Sequence, residues 1–135
     1  MPIRKLLVAN RGEVAIRIAR AAAELGICSV AVFPEDDAHS LHTRTADAAV
    51  RLRGQGVAAY LDGEQLVRVA CDNGCDAVHP GYGFLSESPA FAEQCVAAGL
   101  VFVGPQAATL ALLGDKARAR ALAMAQDVPV VPRRQ

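Results

Sequence analysis

Short β-rich apolar segments alternate along this chain with helical segments, and the connections between them are only a few residues long. Residues 4–9 form a short, mostly apolar run that predicts a strand, and residues 27–33 form a continuous β-rich run of the kind that is buried on both faces. Residues 13–25 between them show helical periodicity, and Gly26 can end that helix in the left-handed conformation. The predicted core stripe of this helix consists of four apolar residues at helical spacing: Val14, Ile18, Ala22 and Leu25.

The same alternation continues along the rest of the chain. Further strands are predicted at 48–52, 76–79 and 100–103, and further helices at 62–73, 89–98, 106–113 and 115–126. Ser88 and Pro89 are typical of a helix start, as cap and first helical residue. Because crossovers between parallel strands are right-handed, the pattern predicts a three-layer, Rossmann-like α/β fold. We expect a parallel sheet of about five strands in the order 3-2-1-4-5, with helices on both faces.

Composition narrows the class of partner. Apolar residues make up 53% of the chain and aromatic residues only 4%, so the core is built from small aliphatic side chains. Fourteen basic and fourteen acidic residues balance, which argues against nucleic acid as a partner. No apolar run approaches the roughly 18–20 residues of a membrane span, so no membrane partner is expected and a cytoplasmic location is predicted.

The cysteines and two of the histidines do not form a recognisable metal site. The cysteine spacing lacks a paired CxxC motif with histidines nearby, so the four thiols are interpreted as buried small apolar groups. These are Cys28, Cys71, Cys75 and Cys95. His39 and His42 lie in a predicted loop and are interpreted as solvated side chains. We therefore assign no metal ligand to this chain.

The most informative loop spans residues 79–87. In an open α/β sheet, ligands bind at the carboxyl ends of the strands where the strand order reverses, which here brings residues 10–12 beside this loop. Gly81 and Gly83 would allow backbone amides to approach a ligand, and two aromatic side chains accompany them: Tyr82 and Phe84. A turn whose glycines only satisfy unusual dihedral angles explains the residues equally well.

Two other groups of charged residues have alternative interpretations. Lys116 follows Gly114-Asp115 in the first turn of a predicted helix, where a cation is unfavourable unless a phosphate is bound; it can equally be a solvated lysine. Arg17, Arg20 and Glu24 share one face of the first helix and are either solvated or paired across a subunit boundary. Neither GxGxxG nor GxxxxGK[ST] is present, and no complete catalytic set can be assembled.

Four segments together resemble the amino-terminal, pre-ATP-grasp domain of biotin carboxylases. They occur in that family's order and spacing and cover nearly the whole chain: 7–15, 79–87, 102–105 and 114–116. The resemblance implies that residues 1–113 form the amino-terminal α/β domain. Residues 114–135 would then form a helix and an extended segment that lead toward an ATP-grasp domain absent from this chain, which suggests a truncation near a domain boundary.

The resemblance also implies a function. Enzymes of this family use ATP, Mg²⁺ and bicarbonate to carboxylate biotin on a carrier, within acyl-CoA, pyruvate or related carboxylases. Lys116 would contact ATP phosphates, and Gly81, Tyr82, Gly83 and Phe84 would form a wall of the biotin and bicarbonate site. Arg17, Arg20 and Glu24 would belong to a homodimer contact. Partners would be a biotin carboxyl carrier and a carboxyltransferase, while the Mg²⁺ ligands and the catalytic groups would lie outside these residues.

Two alternatives stay open from the residues. One is another ATP-grasp ligase, against which the 79–87 segment argues; the other is a noncatalytic module that kept the fold. As part of a biotin carboxylase, the isolated 135-residue chain is expected to bind ATP weakly or not at all and to show no turnover. The acyl acceptor is not encoded in these residues, because a carboxyltransferase component selects it.

Overall fold

The computed structural model describes residues 3–104, which contain the five predicted strands, the helices predicted at 13–25, 62–73 and 89–98, and short helices that were not predicted. The strands are β1 (Lys5–Val8), β2 (Cys28–Phe33), β3 (Ala48–Arg51), β4 (Ala77–His79) and β5 (Val101–Phe102). The helices are α1 (Gly12–Glu24), α2 (His42–Thr45), α3 (Gly56–Tyr60), α4 (Gly63–Asp72) and α5 (Pro89–Ala97), with a 3₁₀ turn at Glu35–Asp37. Lys116, the helices predicted after residue 105 and the whole segment 114–135 lie outside the described residues.

All five strands are parallel and lie in the order β3-β2-β1-β4-β5, which confirms the predicted topology. Leu7 in the central strand pairs with Val30 of β2 on one side and with Val78 of β4 on the other. The strand order reverses at β1, so the carboxyl ends of β1 and β4 meet at the switch point. The predicted position of the candidate loop in the fold is therefore confirmed.

Helices cover both faces of the sheet, which gives the three-layer architecture. Leu7, Val30 and Val78 face α4 and α5, where they pack against Leu66 and Phe91. The alternate residues Leu6 and Ala77 face the opposite side, where they meet Ala22 of α1. This division follows from the two-residue period of strands, because neighbouring side chains point to opposite faces.

The predicted core stripe of α1 was wrong at Val14 and Leu25, whereas Ala22 is buried and the half-buried Ile18 packs against the same cluster. The buried residues of the helix are Ala15, Ile16, Ala19 and Ala22. Leu25 is 75% exposed, while Val14 and Ile18 are only half-buried. Charged residues occupy one face of the helix, but the apolar arc opposite them is wide, so periodicity alone does not decide which part of that arc meets the sheet. Small alanines face the sheet because they allow the helix to approach it closely.

Two further predictions about burial were wrong. His42 is 1% exposed rather than solvated, because its Nε2 donates to the carbonyl oxygen of Val32 at 3.0 Å. Cys71 is exposed on α4, whereas Cys75 and Cys95 are buried as expected. Burial raises the pKa of Cys75 to about 11 and that of Cys95 to about 12, so both thiols stay protonated at neutral pH.

The start of α5 is confirmed in detail. Ser88 has extended backbone angles and its Oγ accepts a hydrogen bond from the backbone N–H of Phe91, at 3.1 Å. Pro89 occupies the first helical position. This cap places the helix directly after the 79–87 loop and so fixes where that loop ends.

Among residues 3–104, no helix combines the length and the apolar character that a membrane crossing requires.

Candidate functional site

The candidate site lies where β1 and β4 end side by side. The backbone N–H of Ala9 donates to the carbonyl of His79 at 3.0 Å, which joins the two strand ends. Asn10, which is 2% exposed, then reaches across to the loop. Its Nδ2 donates to the carbonyls of Pro80 at 2.6 Å and Tyr82 at 2.8 Å. The loop is thus attached to β1 by a side chain as well as by the sheet.

Gly81 lies where the loop comes close to α1. Its φ is +67°, in the left-handed region that favours glycine. A Cβ at this position would lie 2.5 Å from a methyl group of Val14 and 2.9 Å from Nδ2 of Asn10. Its N–H donates to Nδ1 of His79 at 3.1 Å. The left-handed backbone angle of Gly81, the limited space beside it and its hydrogen bond to His79 therefore determine the backbone path of the loop.

The aromatic residues of the loop point in opposite directions. Tyr82 is 82% exposed, and Gly83 beside it has no neighbouring atom within 4 Å of its Cβ position. Phe84, by contrast, packs its ring against the buried ring of Tyr60, with centroids 5.5 Å apart. Phe84 also has a positive φ of 50°, which is strained for a residue with a side chain. Its packing contact helps hold the backbone there.

An apolar groove of about 870 Å³ runs from this loop along α1. Tyr82, Gly81 and His79 lie at the loop end of the groove. Its walls include the four residues once expected to form the helix core: Val14, Ile18, Ala22 and Leu25. Val14, Ile18 and Leu25 therefore line a groove that is continuous with the candidate site in the described part of the chain.

A buried polar network lies at the carboxyl edge of β2, and sequence reasoning missed it. Asp37 is 8% exposed and receives hydrogen bonds from Arg11 Nη2 at 3.0 Å and from the Tyr60 hydroxyl at 2.8 Å. Tyr60 Oη also lies 3.3 Å from Nε2 of His42. Burial, followed by the hydrogen bond to Asp37, raises the pKa of Tyr60 strongly. Three consecutive acidic residues, 35–37, are typical of an exposed polar loop, so the sequence did not indicate that the Asp37 carboxylate is buried.

The network connects with the loop at two places. Arg11 follows Asn10, and its backbone N–H donates to the Asn10 side-chain oxygen at 2.8 Å. The Tyr60 ring packs against the ring of Phe84 in the loop. The sequence signal that could have found this network is the Asn10-Arg11 pair directly after a buried strand, where polar side chains collect at the switch point.

The charged residues predicted on α1 are all exposed. Arg17 pairs with Glu13 one turn earlier, with Nε and Oε1 3.4 Å apart. Arg20 and Glu24 have no ion-pair partner among residues 3–104. Lys116 lies outside the described residues. The structure brings Gly81, Tyr82 and Gly83 together on the site surface, and it turns Phe84 inward.

The described residues bring two kinds of group to the site. Tyr82 presents an aromatic ring, and His79 presents a neutral imidazole whose Nδ1 accepts from Gly81, so that its proton is on Nε2. No group of three or more potential metal-ligating side chains lies together within residues 3–104. These groups suit ligand contact rather than nucleophilic catalysis.

His79 should make stability depend on pH. Burial lowers its pKa from 6.5, so the imidazole takes up its proton more readily in the unfolded chain. Its contribution is therefore fully present above about pH 6.5 and is lost as pH falls below that value toward the folded-state pKa. We expect the free energy of unfolding of His79→Asn to fall less than that of the unchanged chain between pH 7 and pH 5.

Asparagine is the matched replacement because its Oδ1 can accept the Gly81 N–H bond but does not titrate. Urea unfolding at each pH measures the difference, and the other titrating groups are common to both chains. Exposed His39→Asn is the control for the exchange of a histidine for asparagine. Parallel pH profiles for the unchanged chain and His79→Asn would contradict the assignment.

Comparison with known proteins places this geometry in a family. Residues 2–110 match the model of the biotin carboxylase N-terminal domain. The mitochondrial pyruvate carboxylase of Rattus norvegicus is 53% identical over 134 residues, which are 97% of this chain and 11% of the relative. The chain thus spans about a tenth of that protein's length.

Solved structures agree with the sequence comparison. The biotin carboxylase domain of a single-chain bacterial carboxylase is 60% identical, with a TM-score of 0.84 over 96% of this chain and 30% of that chain. The biotin carboxylase domain dimer of Hydrogenobacter thermophilus 2-oxoglutarate carboxylase, in complex with MgADP, ADP and bicarbonate, is 42% identical, with a TM-score of 0.86. That match covers 98% of this chain and 29% of the other. The chain belongs to the biotin carboxylase N-terminal domain family.

Proposed function

We propose that this chain is the amino-terminal part of a biotin carboxylase, an ATP-dependent carbon–nitrogen ligase that carboxylates carrier-bound biotin with bicarbonate. The enzyme would serve an acyl-CoA carboxylase or a related carboxylase. The observation that carries the proposal is the family match across residues 2–110. A relative that is 42% identical holds MgADP and bicarbonate, which supports the same ligands here.

The loop would form one wall of the biotin and bicarbonate site. The exposed Tyr82 ring and the open side of Gly83 suit contact with a flat ring such as the ureido ring of biotin. Gly81 would set the backbone geometry, and Phe84 would anchor the loop by its contact with Tyr60. The part of this chain in the reaction would be to bind and orient, because no catalytic residue is assigned to it.

ATP would be held in part by Lys116, whose ammonium group would contact the phosphates. When bound, MgATP supplies the phosphoryl group and the free energy for joining bicarbonate to biotin. A lysine in the first turn of a helix is favourable once a phosphate lies there, since the phosphate reverses the unfavourable interaction with the helix dipole. The Mg²⁺ ligands would come from residues outside this chain.

The proposed partners are a biotin carboxyl carrier protein or domain and a carboxyltransferase component. Arg17, Arg20 and Glu24 would contribute to a homodimer contact, which their exposure on α1 permits. The related domain from Hydrogenobacter thermophilus is a dimer, which supports this assignment. A cytoplasmic location stays a prediction, and the rat relative is mitochondrial.

A hybrid enzyme tests the proposal directly. The corresponding residues of the Hydrogenobacter thermophilus domain would be replaced by this chain, which aligns with it over 98% of its length. We expect the hybrid to release ADP from ATP in a reaction that requires bicarbonate and is stimulated by free biotin. The 135-residue chain alone should show no such turnover.

Within the hybrid, Tyr82→Ala should raise the KM for free biotin roughly tenfold, the equivalent of losing about 1.4 kcal/mol of binding. Val96→Ala is the matched control. Val96 is also a large apolar side chain and is 67% exposed, but it lies on α5, on the opposite face of the sheet from α1. This substitution should leave every KM within about twofold. A hybrid that folds but releases no ADP would refute the proposed function.

A further inference from the structure

Asn10 is a buried polar side chain whose amide forms three hydrogen bonds to the backbone. Two carbonyl oxygens, of Pro80 and Tyr82, can only accept, so the amide nitrogen must face them. The side-chain oxygen then accepts the backbone N–H of Arg11 at 2.8 Å. The contacts therefore determine the orientation of the amide. A side chain that is only 2% exposed and forms three such bonds is held in one position.

The residue types closest to asparagine in shape or chemistry do not reproduce this set of contacts. Aspartate has the same shape but no donor for the two carbonyls, and leucine would leave those carbonyls without the amide. Glutamine adds a methylene to a side chain that is already buried beside Gly81. A buried amide destabilises the fold unless its hydrogen bonds are formed. Asn10 is therefore compatible with the core only when the loop places both carbonyls within reach of its amide.

The two carbonyls that Asn10 holds lie on either side of Gly81. Gly81 is held from the other directions by Val14 and by the bond from its N–H to His79. The backbone is therefore fixed immediately before and at Tyr82. The Tyr82 side chain itself is 82% exposed, so its position depends mainly on the backbone from which it projects.

We propose that Asn10 is a positioning residue for the biotin site: by binding the carbonyls of Pro80 and Tyr82 it holds the loop so that Tyr82 meets the substrate. This inference rests on the proposed function, because it takes the loop as the wall of that site. Asn10 acts through the loop and does not itself touch substrate. Its loss should weaken biotin binding and leave ATP binding unaffected, since Lys116 belongs to a different segment.

The first test measures the order of the loop in the 135-residue chain itself. The sequence contains no tryptophan, so Tyr82→Trp introduces a single tryptophan at the site, which is excited at wavelengths that the remaining Tyr60 does not absorb. We expect the fluorescence anisotropy of this tryptophan to fall when Asn10→Ala is added. It should stay unchanged when Asp62→Ala is added, which removes the cap of α4 instead, where Asp62 accepts from the backbone N–H of Gln65. Unchanged anisotropy with Asn10→Ala would overturn the proposal.

The second test measures kinetics in the hybrid enzyme. Asn10→Ala should raise the KM for free biotin about tenfold and leave the KM for ATP within about twofold, a split that general destabilisation does not produce. Asp62→Ala, a destabilised control, should change neither constant. If Asn10→Ala does not fold in the hybrid, Asn10→Ser keeps one donor and should give a smaller rise in the biotin KM.

The outcomes separate the two proposals. An unaltered hybrid without turnover would refute the proposed function and, with it, the role of Asn10. An active hybrid in which Asn10→Ala raises the KM values for ATP and biotin equally, or raises neither, would overturn the role of Asn10 alone. A selective rise in the biotin KM, together with the anisotropy change, would establish it.

Discussion

Alanine at Gly81 is expected to lower the free energy of unfolding of the 135-residue chain by about 3 kcal/mol, against about 1 kcal/mol for alanine at Gly83. The two glycines have nearly the same backbone angle, with φ of 67° and 69°. Both substitutions therefore incur the same conformational cost of about 1 kcal/mol. The difference arises from space, because only at Gly81 does the new methyl group meet a neighbour.

The neighbour is the Val14 side chain on α1. The Gly81 Cβ position lies 2.5 Å from Cγ1 of Val14, while nothing lies within 4 Å at Gly83. Overpacking of this kind costs about 1–3 kcal/mol. Urea unfolding of both variants measures the difference. Adding Val14→Ala to Gly81→Ala removes the closest atom and should recover part of the loss. Equal destabilisation at the two glycines would show that the loop does not pack against α1 as described.

Removal of the Asp37 carboxylate is expected to destabilise the chain by about 3 kcal/mol, as is typical when one partner of a buried polar pair is lost. Asp37→Ala leaves the Tyr60 hydroxyl, which is fully buried, without its acceptor at 2.8 Å. The Arg11 contribution is smaller, because its side chain is 42% exposed and screened by water. Most of the effect therefore comes from the tyrosine.

A double-mutant cycle isolates that contact. Tyr60→Phe alone should cost about 1 kcal/mol, and the double variant should cost about 1 kcal/mol less than the sum of the two single changes. Glu35→Ala is the control, since Glu35 is an exposed carboxylate in the same 3₁₀ turn and should change stability by less than about 0.5 kcal/mol. Additive costs would mean that Asp37 and Tyr60 do not interact.

Together these two experiments examine both supports of the candidate loop. Gly81 fixes the loop where it meets α1, and Tyr60 supports Phe84 at its far side. Tyr82 and Gly83 lie between these two supports and remain exposed. A loop anchored at both ends with an exposed centre is suited to present a preformed surface to a ligand, because little ordering is needed on binding.

Local sequence signals predicted the architecture well, because each is satisfied by its immediate neighbours. The Ser88-Pro89 start of α5 depends on a hydrogen bond three residues away, and the glycines after α1, α4 and α5 end helices through their own backbone angles. Right-handed crossovers then leave few strand orders, and the predicted one is observed. That order places the 79–87 loop at the switch point. The family was indicated by the four segments that occur in its order and spacing.

The sequence by itself therefore determined the fold class, the strand order and the placement of the 79–87 loop at the switch point. Only the tertiary structure decided which side chains turn inward. Phe84 and Tyr82 are both aromatic residues of one loop, yet one packs on Tyr60 and the other faces solvent. His42 and Asp37 belong to polar segments but are buried, because their partners come from distant parts of the chain. Such contacts depend on three-dimensional proximity, which no local pattern of residues encodes.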